Sequence, residues 1–254
     1  MTEKPGIESL IEYALSRAGE ERVADVRIGL GYTAVRLASG KVGVGAMLRH
    51  LLDKAGCSIL PYAGTLTGRR AADVVPLLRS ESIVEASVGL AAINALAQWE
   101  KETGSPDEDL ARLLGIGPHD TVGMVGNMAP VLERLRHFAE RCVVFDDGLP
   151  GAEGITETTL EEEILPKCSV VILTATCLLN KTFDRLMELS AGAREICLMG
   201  PSTPLVPEVF RPRGVTVLAG RRFVDSERLL RVVSEAGGTR SFGSLSRKVT
   251  LRLK

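Results

Sequence analysis

S-V-V-I-L-T-A-T-C-L-L-N, residues Ser169 to Asn180, is the stretch from which the rest of the chain is best understood. Val170 to Leu173 is a short apolar, β-branched run, the signature of a strand buried on both faces. It ends in the hydroxyls of Thr174 and Thr176, with Asn180 ahead of a helical pattern from Thr182 to Leu189. In an open parallel sheet, ligands sit in the crevice beyond the carboxyl ends of the strands. Two readings of these three side chains stand side by side. They line such a crevice, or Thr174 and Thr176 satisfy loop backbone while Asn180 caps a helix.

Neighbouring segments alternate in the same way. Thr121 to Val125 reads as a strand, Pro130 to Glu140 as a helix with proline in its first turn, and Cys142 to Phe145 as a strand. After the Val170 strand come the Phe183 helix, strands at Ile196 to Met199 and Val215 to Leu218, and a helix from Ser226 to Ala236 capped by Asp225. Alternation of this kind builds a parallel sheet with helices on both faces. The tail, Lys248 to Leu253, alternates apolar and basic residues and is expected to add an edge strand.

The expected strand ends carry small or polar residues. The first ends in G-M-V-G-N-M-A-P, containing Gly126 and Asn127. Aligned on Gly126 and Ala129, a dinucleotide fingerprint would need glycine where Met124 stands, so that motif is broken. The second ends in Asp146 and Asp147, and Asp146 lies 20 residues after Gly126, where a ribose-binding acid would fall. The fourth ends in G-P-S-T-P, offering Gly200, Pro201 and Ser202 in a rigid turn. Together these ends place a binding crevice, with Asp146 its leading carboxylate. The Gly148 to Thr159 loop either closes over it or merely connects. Other nearby acids are Asp147, Glu153, Glu157 and the Glu161-Glu162-Glu163 run, the last read as an exposed helix face.

The first half reads differently. Ile7 to Ala18 is an amphipathic helix ended by Gly19, and Val23 to Leu30, Tyr32 to Leu37 and Lys41 to Leu48 form an antiparallel meander. Gly43 and Gly45 alternate along its third strand. Ordinary sheet glycines are the default reading; close approach of another backbone is the alternative. A second helical region runs from Thr67 to Leu78 around Pro76. From Ser82 to Trp99 the pattern is apolar nearly all round, except for a stripe of Ser87, Ala91, Asn94 and Gln98. That stripe meets solvent or lines an enclosed polar surface. The lack of charge beside Asn94 favours the second, with Asn94 facing the same cleft as Thr174, Thr176 and Asn180. The breaker E-T-G-S-P-D-E-D opens the Lys101 to Asp120 boundary region, so the expected division is an α+β domain over 1–115 and a parallel-sheet α/β domain over 116–254.

Composition narrows the function. The chain has 254 residues, net charge −1 and few aromatics, which gives no case for nucleic acid or a membrane surface. No signal-peptide core or membrane-length apolar run is visible. Five scattered cysteines, Cys57, Cys142, Cys168, Cys177 and Cys197, are expected to be reduced thiols of a cytoplasmic protein. His50, His119 and His137 are far apart in sequence and none has a neighbouring cysteine, so the sequence provides no metal cage, and a metal would arrive already held in an organic chelate. The G-x-S-x-G elbow, H-E-x-x-H and the P-loop are absent, no catalytic residue or cofactor is specified, and a homo-oligomer stays open.

Several stretches together resemble the family described as "Putative heavy-metal chelation". They are Asn94 in its small-residue helix, V-G-M-V-G (Val122 to Gly126), the run from Leu165 to Thr182, A-R-E-I-C-L-M-G-P-S-T-P-L (Ala193 to Leu205), and V-L-A-G (Val217 to Gly220). The resemblance spans essentially the whole chain. It implies an enolase N-terminal-like domain followed by a Rossmann-like domain, with a site between them. Two functions follow as expectations. The first is a protein that binds or processes a small ligand or metal chelate. The second is an enzyme using a nucleotide-, adenosyl- or pterin-like ligand on the Rossmann-like half.

Overall fold

The computed structural model describes residues 4–52, 59–97 and 109–254. Cys57, Gln98, Trp99 and all of the breaker before Asp109 lie outside the described residues. The chain opens with helix α1 (Gly6–Ala18), then strands β1 (Val23–Ile28), β2 (Tyr32–Leu37) and β3 (Val42–Ala46), an antiparallel sheet in the order β1-β2-β3. Helices α2 (Ala71–Val74) and α3 (Ile83–Leu96) follow, with Pro76 opening a 3-10 turn after α2. Helix α3 is apolar on all sides because it is covered on all sides. Leu90, Ala91, Ala92, Ile93 and Ala95 have no solvent exposure, and each large one contributes about 1.5–3 kcal/mol of burial.

The stripe on α3 is where helix and meander touch. A Cβ on Gly43 would lie 2.3 Å from the Ala95 nitrogen and 2.4 Å from the Ala91 oxygen, and one on Gly45 would lie 2.2 Å from the Ser87 oxygen. These are not ordinary sheet glycines. They let the sheet backbone seat directly on the helix backbone, and alanine at either position would force the two apart.

The second half runs α4 (Leu110–Leu113), β4 (Thr121–Val125), α5 (Ala129–Leu135), β5 (Arg141–Phe145), α6 (Glu161–Ile164), β6 (Val170–Thr174), α7 (Phe183–Leu189), β7 (Glu195–Met199), α8 (Pro207–Phe210), β8 (Val217–Phe223), α9 (Ser226–Ser234) and β9 (Ser246–Arg252). Its sheet has the order β5-β4-β6-β7-β8-β9, parallel throughout except for β9, which pairs antiparallel with β8 as the expected edge strand. Helix α5 is shorter than the sequence pattern, closing in tight turns as His137 and Phe138 donate to the Arg134 and Leu135 carbonyls. Together the two sheets and their helices make an α/β fold in two parts.

Strand β6 is buried on both faces, and its side chains divide between two cores. Val170 and Ile172 pack with Met124, Leu132 and Leu135 on one face. Val171 and Leu173 belong to the larger core on the other face, which also takes in Leu10 and Ile11 of α1 and Ile93 of α3. The halves therefore share one apolar core. Helix α4 packs with the second sheet through Ala111 and Leu114. Among the described residues, no helix is long and apolar enough to cross a membrane.

Candidate functional site

Strand β4 has β5 on one side and β6 on the other. The chain therefore leaves β4 in one direction and returns on its opposite flank, which opens a crevice at the carboxyl ends of β4 and β6. Gly126 closes β4 with φ of +90°, and a Cβ there would sit 2.5 Å from Thr174 Cγ2. Only glycine allows both the turn and the close approach of Thr174 from the next strand.

Asp146 ends β5 and braces two loops. Its Oδ2 accepts from the Asn127 nitrogen at 2.6 Å and its Oδ1 from the Gly148 nitrogen at 2.9 Å. A carboxylate held by backbone amides is fixed in place, so Asp146 shapes the crevice wall it lines. At β6, Thr174 Oγ1 accepts from Thr176 Oγ1 at 3.2 Å, and Asn180 Oδ1 accepts from Thr182 Oγ1 at 2.8 Å. The capping and site readings thus hold together: the oxygens organise the turn, and the same side chains line the crevice. Among the described residues the Asn180 amide nitrogen makes no hydrogen bond, so its donors are available.

Two adjoining cavities of about 290 and 180 Å³ share Thr174, Thr176, Asn180, Asp147 and Glu161 in their walls. The smaller is also lined by Leu48 and His50 from the first half. An added Cβ on Gly148 would sit 3.1 Å from His50 Nδ1 and 3.2 Å from Asp146 Oδ1, so the two halves meet at this loop.

The Glu161-Glu162-Glu163 run is not a uniformly exposed face. Glu161 is 5% exposed and accepts from Arg185 Nη1 at 2.7 Å, while Glu162 takes the second guanidinium nitrogen at 3.2 Å. Burial pushes the Glu161 carboxyl above its ordinary range, against the pull of Arg185. His50, Glu161 and Arg185 carry no local signal that marks them. Only the path of the chain past the β6 end brings them together.

The Gly200 to Ser202 turn and Asn94 meet elsewhere. Gly200 has φ of +133°, and Asn94 Nδ2 donates to the Ser202 oxygen at 2.9 Å and the Val44 oxygen at 2.8 Å. Asn94 and Pro201 line a separate cavity with Thr203 and Arg221, not the one at Thr174. Asn94 therefore does not face the Thr174 cleft as expected. A close sheet-on-helix contact turns its amide toward the carbonyls that join the halves.

A family model described as "Putative heavy-metal chelation" matches residues 109–252, and a second with the same description matches residues 11–97. The chain belongs to this family. It is 27% identical to an uncharacterized protein of Methanocaldococcus jannaschii over 98% of both chains. A crystal structure of a family protein of unknown function from Desulfitobacterium hafniense is 27% identical, with TM-score 0.81 over 97% of this chain and 98% of that one. A family structure from Pyrococcus horikoshii, also of unknown function, is 24% identical, with TM-score 0.82 over 97% and 99%.

The family description invites a test of the residues against a metal. Among the described residues, no group of three or more His, Cys, Asp and Glu side chains could hold an ion. Cys177 lines the larger cavity, but it is 1% exposed and burial pushes its thiol far up, away from the thiolate that soft metals need. The described residues do not fit a directly ligated heavy metal.

Proposed function

We propose that the protein binds a small organic ligand or a preformed metal chelate in the crevice beyond β4 and β6, with His50 and Leu48 closing it from the first half. The observation that supports this most is the pair of cavities at the sheet's switch point. The family description supports a metal or small-ligand role, and the donor set supports a chelate over a bare ion.

The wall is acidic and hydroxyl-rich: Asp146, Asp147 and Glu161 beside Thr174 and Thr176, while Arg185 is occupied by Glu161 and Glu162. Such a surface favours ligands that present hydrogen-bond donors or positive charge and disfavours the phosphates of a nucleotide. Calorimetry tests this with free Ni²⁺, its cationic ethylenediamine chelate, its anionic citrate chelate, and ATP. The cationic chelate is expected to bind, and to lose affinity in Asp147→Asn, which removes a carboxylate that lines both cavities. Tighter binding of ATP or of free Ni²⁺ would overturn the reading.

A further inference from the structure

At the same end of the sheet but beyond β7 lies a separate small cavity, between β3, the end of α3, the Pro201–Leu205 turn and β8. Its volume is about 20 Å³, room for a single water-sized occupant. Thr203 is 3% exposed, lines this cavity, and its Oγ1 has no hydrogen-bond partner. A buried hydroxyl without a partner costs about 1–3 kcal/mol, so something is expected to accept its proton.

Arg221 lines the same space and is half-buried. Its Nη1 donates to Ser246 Oγ at 2.8 Å, and among the described residues it pairs with no carboxylate. Burial pulls its guanidinium below the ordinary value. Directly across the β8–β9 ladder stands Lys248, and opposed like charges destabilise such a pair. Arg222 reaches the cavity as well. A water would satisfy Thr203 but leave the positive charge uncompensated. The carboxyl end of α3 offers only about half a negative charge, shared over its last turn.

We infer that this cavity binds a single-atom anion, chloride in ordinary solution, which accepts from the Thr203 hydroxyl and the Arg221 guanidinium. The ion sits where β3 and α3 of the first half meet β8 of the second. It therefore joins the halves beside the Asn94 amide. The small volume, about 20 Å³, favours a single atom over phosphate.

The test uses the whole chain. Melting midpoints are measured in sodium chloride, bromide, phosphate and gluconate at constant ionic strength, and crystals grown in bromide are examined at the bromine absorption edge. The expected result is a midpoint that rises with the logarithm of halide concentration and does not rise in gluconate. An anomalous peak is expected at bonding distance from Thr203 Oγ1. Thr203→Val, which keeps the shape, should weaken the halide dependence about tenfold, the loss of one bond to a charged group. Arg221→Gln should abolish it, and if that variant fails to fold, Thr203→Val carries the test alone. No anomalous peak, a halide response unchanged in Thr203→Val, or stronger saturable binding of phosphate than of halide would each overturn the inference.

Discussion

At the amino end of the six-stranded sheet, Asp120, Arg194 and Glu195 form closed networks. Asp120 accepts from Ser169 Oγ and Arg194 Nη2, each at 2.6 Å, and from the Gly117 nitrogen at 2.8 Å. Arg194 also donates to the Leu114 and Gly115 carbonyls. Glu195 is held by Arg252 at 2.6 Å, by Lys254 and by the Thr216 hydroxyl. At the carboxyl end, 15–20 Å away by the rise of a five-residue strand (roughly 3.3 Å per residue), similar residue types stand around open space. Asn180 keeps free donors there, and Glu161 has one guanidinium on an otherwise acidic wall. One sheet thus uses polar groups in two ways. Closed networks fix its base, and incompletely used groups surround its crevice.

The largest expected effect is at the base. Asp120→Ala removes the acceptor of three bonds and leaves Arg194 without its carboxylate, which should cost about 3 kcal/mol in chemical denaturation. Binding of any crevice ligand should be unchanged at temperatures where the variant is folded. A loss of affinity without a loss of stability would break the contrast between the two ends.

Asn94→Ala comes next, at the separate cavity beyond β7. It removes two bonds and leaves the Val44 and Ser202 carbonyls without that donor, so stability should fall by about 2 kcal/mol. Crevice affinity is expected to hold, since Asn94 lines the other cavity. Asp147→Asn should do the reverse, with a tenfold loss of cationic-chelate binding, about 1.4 kcal/mol, and a stability change of less than about 1 kcal/mol, since its carboxylate lines the crevice. If the two variants gave the same profile in paired denaturation and calorimetry, the two cavities would act as one.

Much of this was legible from the residues, and the exceptions share a cause. The β6 run and the alternation around it are local patterns, so the strands and the edge strand β9 could be read from periodicity and charge. Gly126 and Asp146 could be singled out because each stands at a strand end, where position constrains role. Glu161 could not be told from Glu162 and Glu163, because burial of one residue in a run is decided by where Arg185 of another helix lies. Asn94 was recognisable as enclosed, but its partners are a carbonyl 50 residues before it and another 108 residues after it. Local sequence shows that such a residue must be satisfied, and only the packing shows by what.

The two ends should also respond to pH in different windows, with stability rising with pH in each: the acid range for the base, the alkaline range for the crevice end. At the base, burial raises the Asp120 carboxyl, but bonds from Ser169, Gly117 and Arg194 outweigh it and hold the group below its ordinary value. A depressed carboxyl contributes stability above its unfolded pKa, and that contribution is lost as pH falls through the folded value. At the crevice end, Lys181 follows Asn180 with φ of +65° and donates to the Leu78 carbonyl of the first half. Burial pulls its ammonium from 10.5 down to about 8, with Glu81 opposing. Below pH 8 it is charged in both the folded and unfolded chain, and the cost of burying that charge is fully present. Between pH 8 and 10.5 the unfolded chain binds more protons than the folded one, so stability rises with pH across that window. Allowing for solvent screening at a part-exposed group, the rise should be about 1 kcal/mol. Lys181→Met should flatten it, whatever its effect on stability at pH 7, because it removes the titrating group. Denaturation of both proteins at pH 7, 8, 9 and 10 checks this as a difference in slope. A wild-type curve no steeper than that of Lys181→Met would mean that the lysine stays solvated, and that the crevice end lacks the uncompensated charge that sets it apart from the base.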